Sequence, residues 1–341
     1  MMIMNGLSLA IYWIGAVLIN DAQDMQEKFT LFSDMVVFSS YAMQVVMSFM
    51  MLVMIFIMLP RASVAAKRIL EVLDTEPSIE DGTRDTFPVM KDGEVEFKDV
   101  SFKYPDAEEY VLEHISFSAK KGETIAFIGA TGCGKSTAIN LIPRFYDATE
   151  GEVFVDGVNV KEYTQEALHN KIGYVSQKAI LFSGTIADNV AYGENGKAPA
   201  TQDDIAMAVK VAQASEFVEK KDQGYDGYVA QGGSNFSGGQ KQRLSIARAI
   251  ARQPEILIFD DSFSALDYKT DRILREALRK ECKDATKIIV AQRIGTIRDA
   301  DKIIVLDDGQ IAGMGTHDEL MKNCEVYQEI AYSQLSKEEL A

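Results

Sequence analysis

"TIAFIGATGCGKST", residues 124–137, decides the fold of this chain. An apolar run, Thr124 to Ile128, reads as a buried strand, and it ends at Gly129. Four residues later come Gly134, Lys135 and Ser136, which completes the GxxxxGK[ST] spacing of a Walker A loop with a helix to follow. Glycines let backbone N–H groups close around phosphate oxygens, and a helix N-terminus favours an anion. This pattern makes Gly129, Thr131, Gly132, Cys133, Gly134, Lys135, Ser136 and Thr137 the candidate ATP-binding loop. Lys135 is expected at the β- and γ-phosphates and Ser136 at Mg²⁺.

Working outward, "EILIFDDSFSALD" (255–267) has the matching shape on a second strand. Four apolar residues, Ile256 to Phe259, deliver Asp260, a carboxylate suited to the magnesium of a bound nucleotide. From Gly93 to about residue 330, strand and helix patterns alternate, which specifies an α/β domain with a helical insert.

The first sixty residues differ in kind. Eleven of the fifteen methionines lie before residue 61. Met1–Asn20 and Met35–Leu59 carry no charge, and at ~1.5 Å per residue each can cross a ~30 Å hydrocarbon layer. The first run lacks the basic start of a signal peptide, so the pair reads as a transmembrane hairpin. Residues 21–34 hold Asp21, Asp24, Glu27 and Asp34 against one Lys28, whereas Arg61, Lys67 and Arg68 follow the second span. The positive-inside rule puts the loop outside and the remainder in the cytoplasm. Along the second span Met43, Met47, Met50, Met54 and Met58 form a stripe beside Ser40, Gln44 and Ser48. That face suits either helix packing or a pliable wall for apolar substrates.

Composition excludes some classes. A formal charge of −16 argues against a nucleic-acid surface. Cys133, Cys282 and Cys324 form neither a disulfide framework nor a metal motif. Cys133, between a lysine and a helix start, is expected to react with alkylating agents.

"NFSGGQKQRLSIARAI" (235–250) narrows the class. With the Walker loop upstream, the chain closely resembles the ABC transporter ATPases, whose signature is LSGGQ; Phe236 stands in place of the leucine. The resemblance covers residues 93–335. It implies an α/β P-loop ATPase domain, a RecA-like core plus a helical subdomain at about 178–250, preceded by an all-α transmembrane hairpin (1–60). A helical extension and linker would occupy 61–92, and 336–341 would be a tail. It also implies that Ser237, Gly238, Gly239 and Gln240 contact ATP held by the opposite subunit. Tyr104 would stack on adenine, and Gln177 would join magnesium to the transmembrane domain. Ser264, Ala265, Leu266 and Asp267 would form the D-loop. The hairpin resembles the last two helices of an exporter half-transporter, whose other helices would precede Met1.

Two departures from the family pattern fall together. Asp261 stands where the family has a catalytic glutamate, and it is shorter by one C–C bond, ~1.5 Å. A base must come within ~2.6–3.2 Å of its proton, so that loss matters. In "IVAQRIGTI" the switch histidine is replaced by Gln292, which cannot carry a positive charge. His317 lies past the last expected strand, and His114 and His169 are expected at the surface. The ATP-binding elements are intact while both hydrolysis positions are changed. That combination resembles the degenerate-site subunit of heterodimeric multidrug or lipid exporters. The expected partners are a second half-transporter, a hydrophobic drug or lipid, and a membrane, with the ATP-binding domain on the cytoplasmic side of the cell membrane. A homodimeric exporter with slow hydrolysis and a soluble ABC ATPase are the rival readings.

Overall fold

The computed structural model describes residues 2–85, 92–221 and 223–334. The chain divides into two compact units, Met1–Ser78 and Ile79–Ala341.

The first unit is two helices, Met2–Asp21 and Met25–Leu73, both long and apolar enough to cross a membrane. Among the described residues of this unit, Ile11 and Gly15 of the first helix are buried, and none of the second helix. Helices with spans this long and apolar, uncovered by protein, match a lipid solvent better than water. The acidic stretch is less of a loop than its composition suggested. Only Ala22 to Asp24 lie between the helices, and Glu27 and Asp34 belong to the second helix. Nor does the helix stop after the charge-free run: it continues through Pro60 to Leu73 and ends at Asp74. Proline costs one backbone bond there, and the good helix formers around it carry the helix on. The polar stripe faces a groove between the helices, where Gln44 and Ser40 lie with Ser8, Tyr12, Met43 and Met47.

The second unit is built on a six-stranded sheet. Its order is Gln310–Gly315, Lys302–Asp307, Thr124–Gly129, Thr286–Val290, Ile256–Asp260 and Ile172–Val175. All neighbours pair in parallel except the first two, which are antiparallel. Successive side chains of a strand point to opposite faces, and here each face has its own core. Ala126, Ile128, Leu257 and Phe259 enter one, and Ile125, Phe127, Ile256 and Ile258 the other. That is why these strands read as unbroken apolar runs: a parallel sheet is covered on both sides. Each isoleucine, leucine or phenylalanine among them contributes roughly 1.5–3 kcal/mol by leaving water.

A four-stranded antiparallel sheet, ordered Leu112–Ala119, Val95–Phe102, Glu150–Val155 and Val158–Asn159, shares the second core. The helical insert contains Ile186–Val190, Gln202–Val211, Ser215–Glu219 and Gly238–Ala251. The last of these packs against the first two.

A half-buried charge cluster ties the two sheets together. Lys171 Nζ lies 2.8 Å from Asp156 and 2.9 Å from Glu255, and the Glu94 N–H donates to Asp156 at 3.1 Å. Burial pushes the Asp156 carboxyl up to about 6 against the pull of Lys171, and Glu255 adds to the rise. Burial works against the Lys171 charge, yet its bonds to Asp156 and Glu255 hold it above its ordinary value. Two carboxylates around one ammonium favour keeping one proton. The folded value of Asp156 exceeds its ordinary 3.8. The folded chain therefore retains a proton across that window which the unfolded chain has already released. The stability from this group is full below the ordinary value and lost as pH rises through about 6. The urea midpoint of the native chain, measured against Asp156→Asn, should fall across that window. A constant difference between the two would remove Asp156 as the titrating group.

Candidate functional site

The topology gathers the candidate residues at one edge. Gly129, Asp260 and Val290 end parallel neighbouring strands, and Val175 ends the strand beside Asp260. The segments leaving that edge carry Asp261, Gln292 and Gln177, with Lys135 at the start of a helix. In open α/β sheets the carboxyl edge is where ligands bind.

The loop from Gly129 to Gly134 turns tightly into the helix Lys135–Asn140. Gly134 has φ +94°, and a Cβ there would come within 2.6 Å of Leu112, so only glycine fits. Lys135 is folded over its own loop, with Nζ donating to the carbonyls of Gly129 (2.8 Å) and Ala130 (2.6 Å). Cys133 Sγ lies 3.6 Å from the same ammonium, but the residue is only 6% exposed. Sequence reading expected an alkylatable thiol; burial narrows a reagent's approach, and access counts as much as charge environment, so labelling of Cys133 should be slow.

Ser136 Oγ donates to Asp260 Oδ1 at 2.7 Å. The two apolar strands thus bring a hydroxyl and a carboxylate together, a hard oxygen donor set suited to Mg²⁺. Tyr174, which sequence reading missed, places its hydroxyl 2.9 Å from Asn140 Oδ1 and 3.4 Å from Asp260 Oδ2. Burial and then the Asp260 charge push its acidity well below that of an ordinary phenol.

Asp261 is 8% exposed and sits in the left-handed region at φ +44°. Its Oδ2 accepts two side-chain amides, Gln292 Nε2 at 2.8 Å and Gln177 Nε2 at 3.4 Å. Burial raises its carboxyl above the ordinary value, and Gln177, Ser264 and Lys135 counter only part of that. The structure therefore joins Gln177, Asp261 and Gln292, three residues far apart in sequence, into one cluster. Tyr104 meets Thr137, hydroxyl to hydroxyl at 3.1 Å, and its ring lies edge-on to Phe102 and Tyr146.

The signature lies elsewhere. Ser237 caps the helix Gly238–Ala251 by accepting from Gln240 N (3.3 Å), while Gln240 Oε1 accepts from Ser237 N (3.0 Å). Phe236 is buried under Lys221 and against Phe217, which anchors the turn. A Cβ at Gly238 would meet nothing within 4 Å, and one at Gly239 would press on Ala265 O at 3.1 Å. In the D-loop, Ser264 and Ala265 are exposed, Leu266 is buried, and Asp267 caps the next helix through Thr270 N. Among the described residues no hydrogen bond or ion pair links Ser237–Gln240 to the phosphate loop.

None of the histidines enters the cluster. His317 is buried on Tyr327 (2.8 Å), and burial lowers its pKa. His114 is exposed beside Asp99. His169, expected at the surface, is half-buried and meets Pro143 O at 2.8 Å, because its helix packs onto the loop ahead of it.

A Walker loop on a parallel sheet, an acidic strand end beside it and an exposed capped SGGQ turn define an ABC-type ATPase domain. The ABC transporter family matches residues 112–264, and the domain built around them is an ABC transporter ATP-binding domain. It follows two apolar helices of membrane-spanning length. The chain is 45% identical over 331 residues to an uncharacterized ABC transporter ATP-binding protein of Mycobacterium tuberculosis, covering 97% of this chain and 56% of that one. It is 42% identical over 276 residues to an ATP-dependent lipid A-core flippase of Haemophilus influenzae, covering 81% and 46%. Among solved structures, that of a bacterial Atm1-family ABC exporter with ATP bound superposes with TM-score 0.78 at 34% identity, covering 89% of this chain and 53% of that one. The chain thus spans about half the length of the relatives it matches.

Proposed function

We propose that this chain is the ATP-binding half of a membrane exporter that works with a second, different half-transporter. ATP and Mg²⁺ bind its own Walker loop, where turnover is slow, and its signature completes the partner's faster site. One observation carries this reading: Asp261 and Gln292, the two positions changed from the family's hydrolytic pair, bond to each other beside an intact phosphate loop. Lys135 would release its loop carbonyls to reach the phosphates. Ser136 and Asp260 would hold the Mg²⁺ that neutralises phosphate charge, and Tyr104 would support the adenine. Ser237 and the glycines after it face outward, as a cap for a nucleotide on another chain must.

The two long apolar helices support a membrane-embedded, multi-pass half-transporter, and Arg61, Lys67 and Arg68 after the second span support an ATPase domain on the cytoplasmic side. The groove of Gln44, Ser40 and methionines suits a hydrophobic drug or lipid, and the similarity to a lipid A-core flippase supports a lipid. The test is ATP turnover of the full-length protein, alone and co-expressed with a candidate second half-transporter whose catalytic glutamate and switch histidine are intact. Alone it should bind ATP through Lys135 and turn it over slowly; with the partner, turnover should rise. Fast turnover alone would point to a homodimer instead.

A further inference from the structure

The switch segment around Gln292 is held from a direction that the ATP site does not explain. Gln334, the last residue of the helix Glu325–Gln334, uses both ends of its side-chain amide on this segment. Its Nε2 donates to Gln292 O at 2.7 Å, and its Oε1 accepts from Ile294 N at 2.9 Å. These are the backbone groups on either side of Arg293, so the amide grips the segment as a neighbouring strand would. The two side chains released by this grip both point to hydrolysis: Gln292 bonds Asp261, and Arg293 reaches Ser264 O of the D-loop at 3.4 Å. Ser264 in turn donates its hydroxyl to Asp261 O at 2.7 Å. Gln292 and Arg293 are themselves exposed, between Ala291 and Ile294, which are buried, so the Gln334 amide holds the short exposed stretch between two core anchors.

We propose that Gln334 is a positioning residue, holding the Gln292–Ile294 backbone where Gln292 meets Asp261 and Arg293 meets the D-loop. The inference rests on the reading of Asp261 and Gln292 as the hydrolytic positions. Gln334 touches no nucleotide position, so its loss should alter turnover and spare ATP affinity. Gln334 is exposed; alanine there leaves the Ile294 N–H without its acceptor while glutamate keeps it, and the Tm of both variants checks that the fold survives.

The experiment compares Gln334→Ala and Gln334→Glu in the full-length transporter. Glutamate keeps the acceptor for Ile294 N but loses the donor to Gln292 O. Hydrogen exchange reads the grip directly. In Gln334→Ala, exchange should accelerate at Ile294 and also across residues 261–266; in Gln334→Glu, Ile294 should stay protected. Acceleration confined to Ile294, or none, overturns the proposal. Turnover is read with Asp261→Glu and Gln292→His present and the partner's own base removed. There Gln334→Ala should lower kcat roughly 10-fold, less than the ~10²-fold cost of a 1 Å misplacement, with the Kd for ATP unchanged. Unchanged kcat despite faster exchange also overturns it. If that background shows no turnover at all, the two-half reading is what fails, and the exchange pattern alone decides for or against Gln334.

Discussion

Asp261→Glu together with Gln292→His should raise ATP turnover at this chain's own site by ~10²–10⁴-fold, about 3–5 kcal/mol of barrier. The measurement belongs in the assembled transporter with the partner's own base removed, so that only this site can act. The geometry gives two reasons to expect slow turnover at the unaltered site. Aspartate is one bond too short, and its Oδ2 already accepts two amides, so little of it is free for a water proton. Glutamate restores reach, and histidine both frees that oxygen and offers the γ-phosphate a donor that can be charged. Either change alone should give much less, because groups acting on one transition state are not additive. Asp261 already bears most of the ~1–2 kcal/mol cost of its left-handed backbone, so glutamate there should lower Tm only slightly and spare turnover. Lys135→Ala in the same background should abolish the gain. Failure of the double change would place the defect in the partner's signature. Fast turnover by the unaltered chain without a partner would remove the slow-site reading.

How much of this was legible in the sequence depended on whether the cause was local. The parallel strands were readable because burial on both faces leaves no polar alternation in Ile256–Phe259, and the loop was readable because phosphate binding fixes glycine positions. Ser136 and Asp260 could be paired from motif knowledge, and they lie 2.7 Å apart. Tyr174 and Asn140 were not found, since an aromatic at a strand end and an asparagine at a helix end have no signature of their own. Gln334 lay further out of reach: its role arises from the packing of a C-terminal helix some forty residues beyond its target. The hairpin misled in one respect. Charges at Glu27 and Asp34 read as a loop, but a helix of 49 residues is longer than a bilayer, and its ends can carry charge outside the hydrocarbon.

Gly238→Asp should abolish hydrolysis at the partner's site while this chain keeps binding ATP at Lys135. The position is unusual in separating fold from function. A side chain there meets no protein atom within 4 Å. It stands in the first turn of the helix Gly238–Ala251, where a carboxylate complements the helix dipole by ~0.3–1 kcal/mol. The variant should therefore be as stable as the parent or slightly more so. Yet the new carboxylate lies beside the Ser237 cap, where the partner's γ-phosphate is to be received. Two unit negative charges ~4 Å apart repel by about 4 kcal/mol at an effective dielectric of 20. That is roughly a 10³-fold loss if it falls on the closed, hydrolysing state. Gly238→Asn, isosteric and neutral, separates charge from bulk: it should lose far less, and raising the salt should not rescue it. Turnover of the assembled transporter, ATP photolabelling at this chain's own loop and Tm are the three readouts. Loss of turnover with labelling and Tm retained places the signature against another chain's phosphate. Loss of labelling along with turnover would mean that Gly238 serves the ATP held by its own chain, and retained turnover would mean that it serves neither.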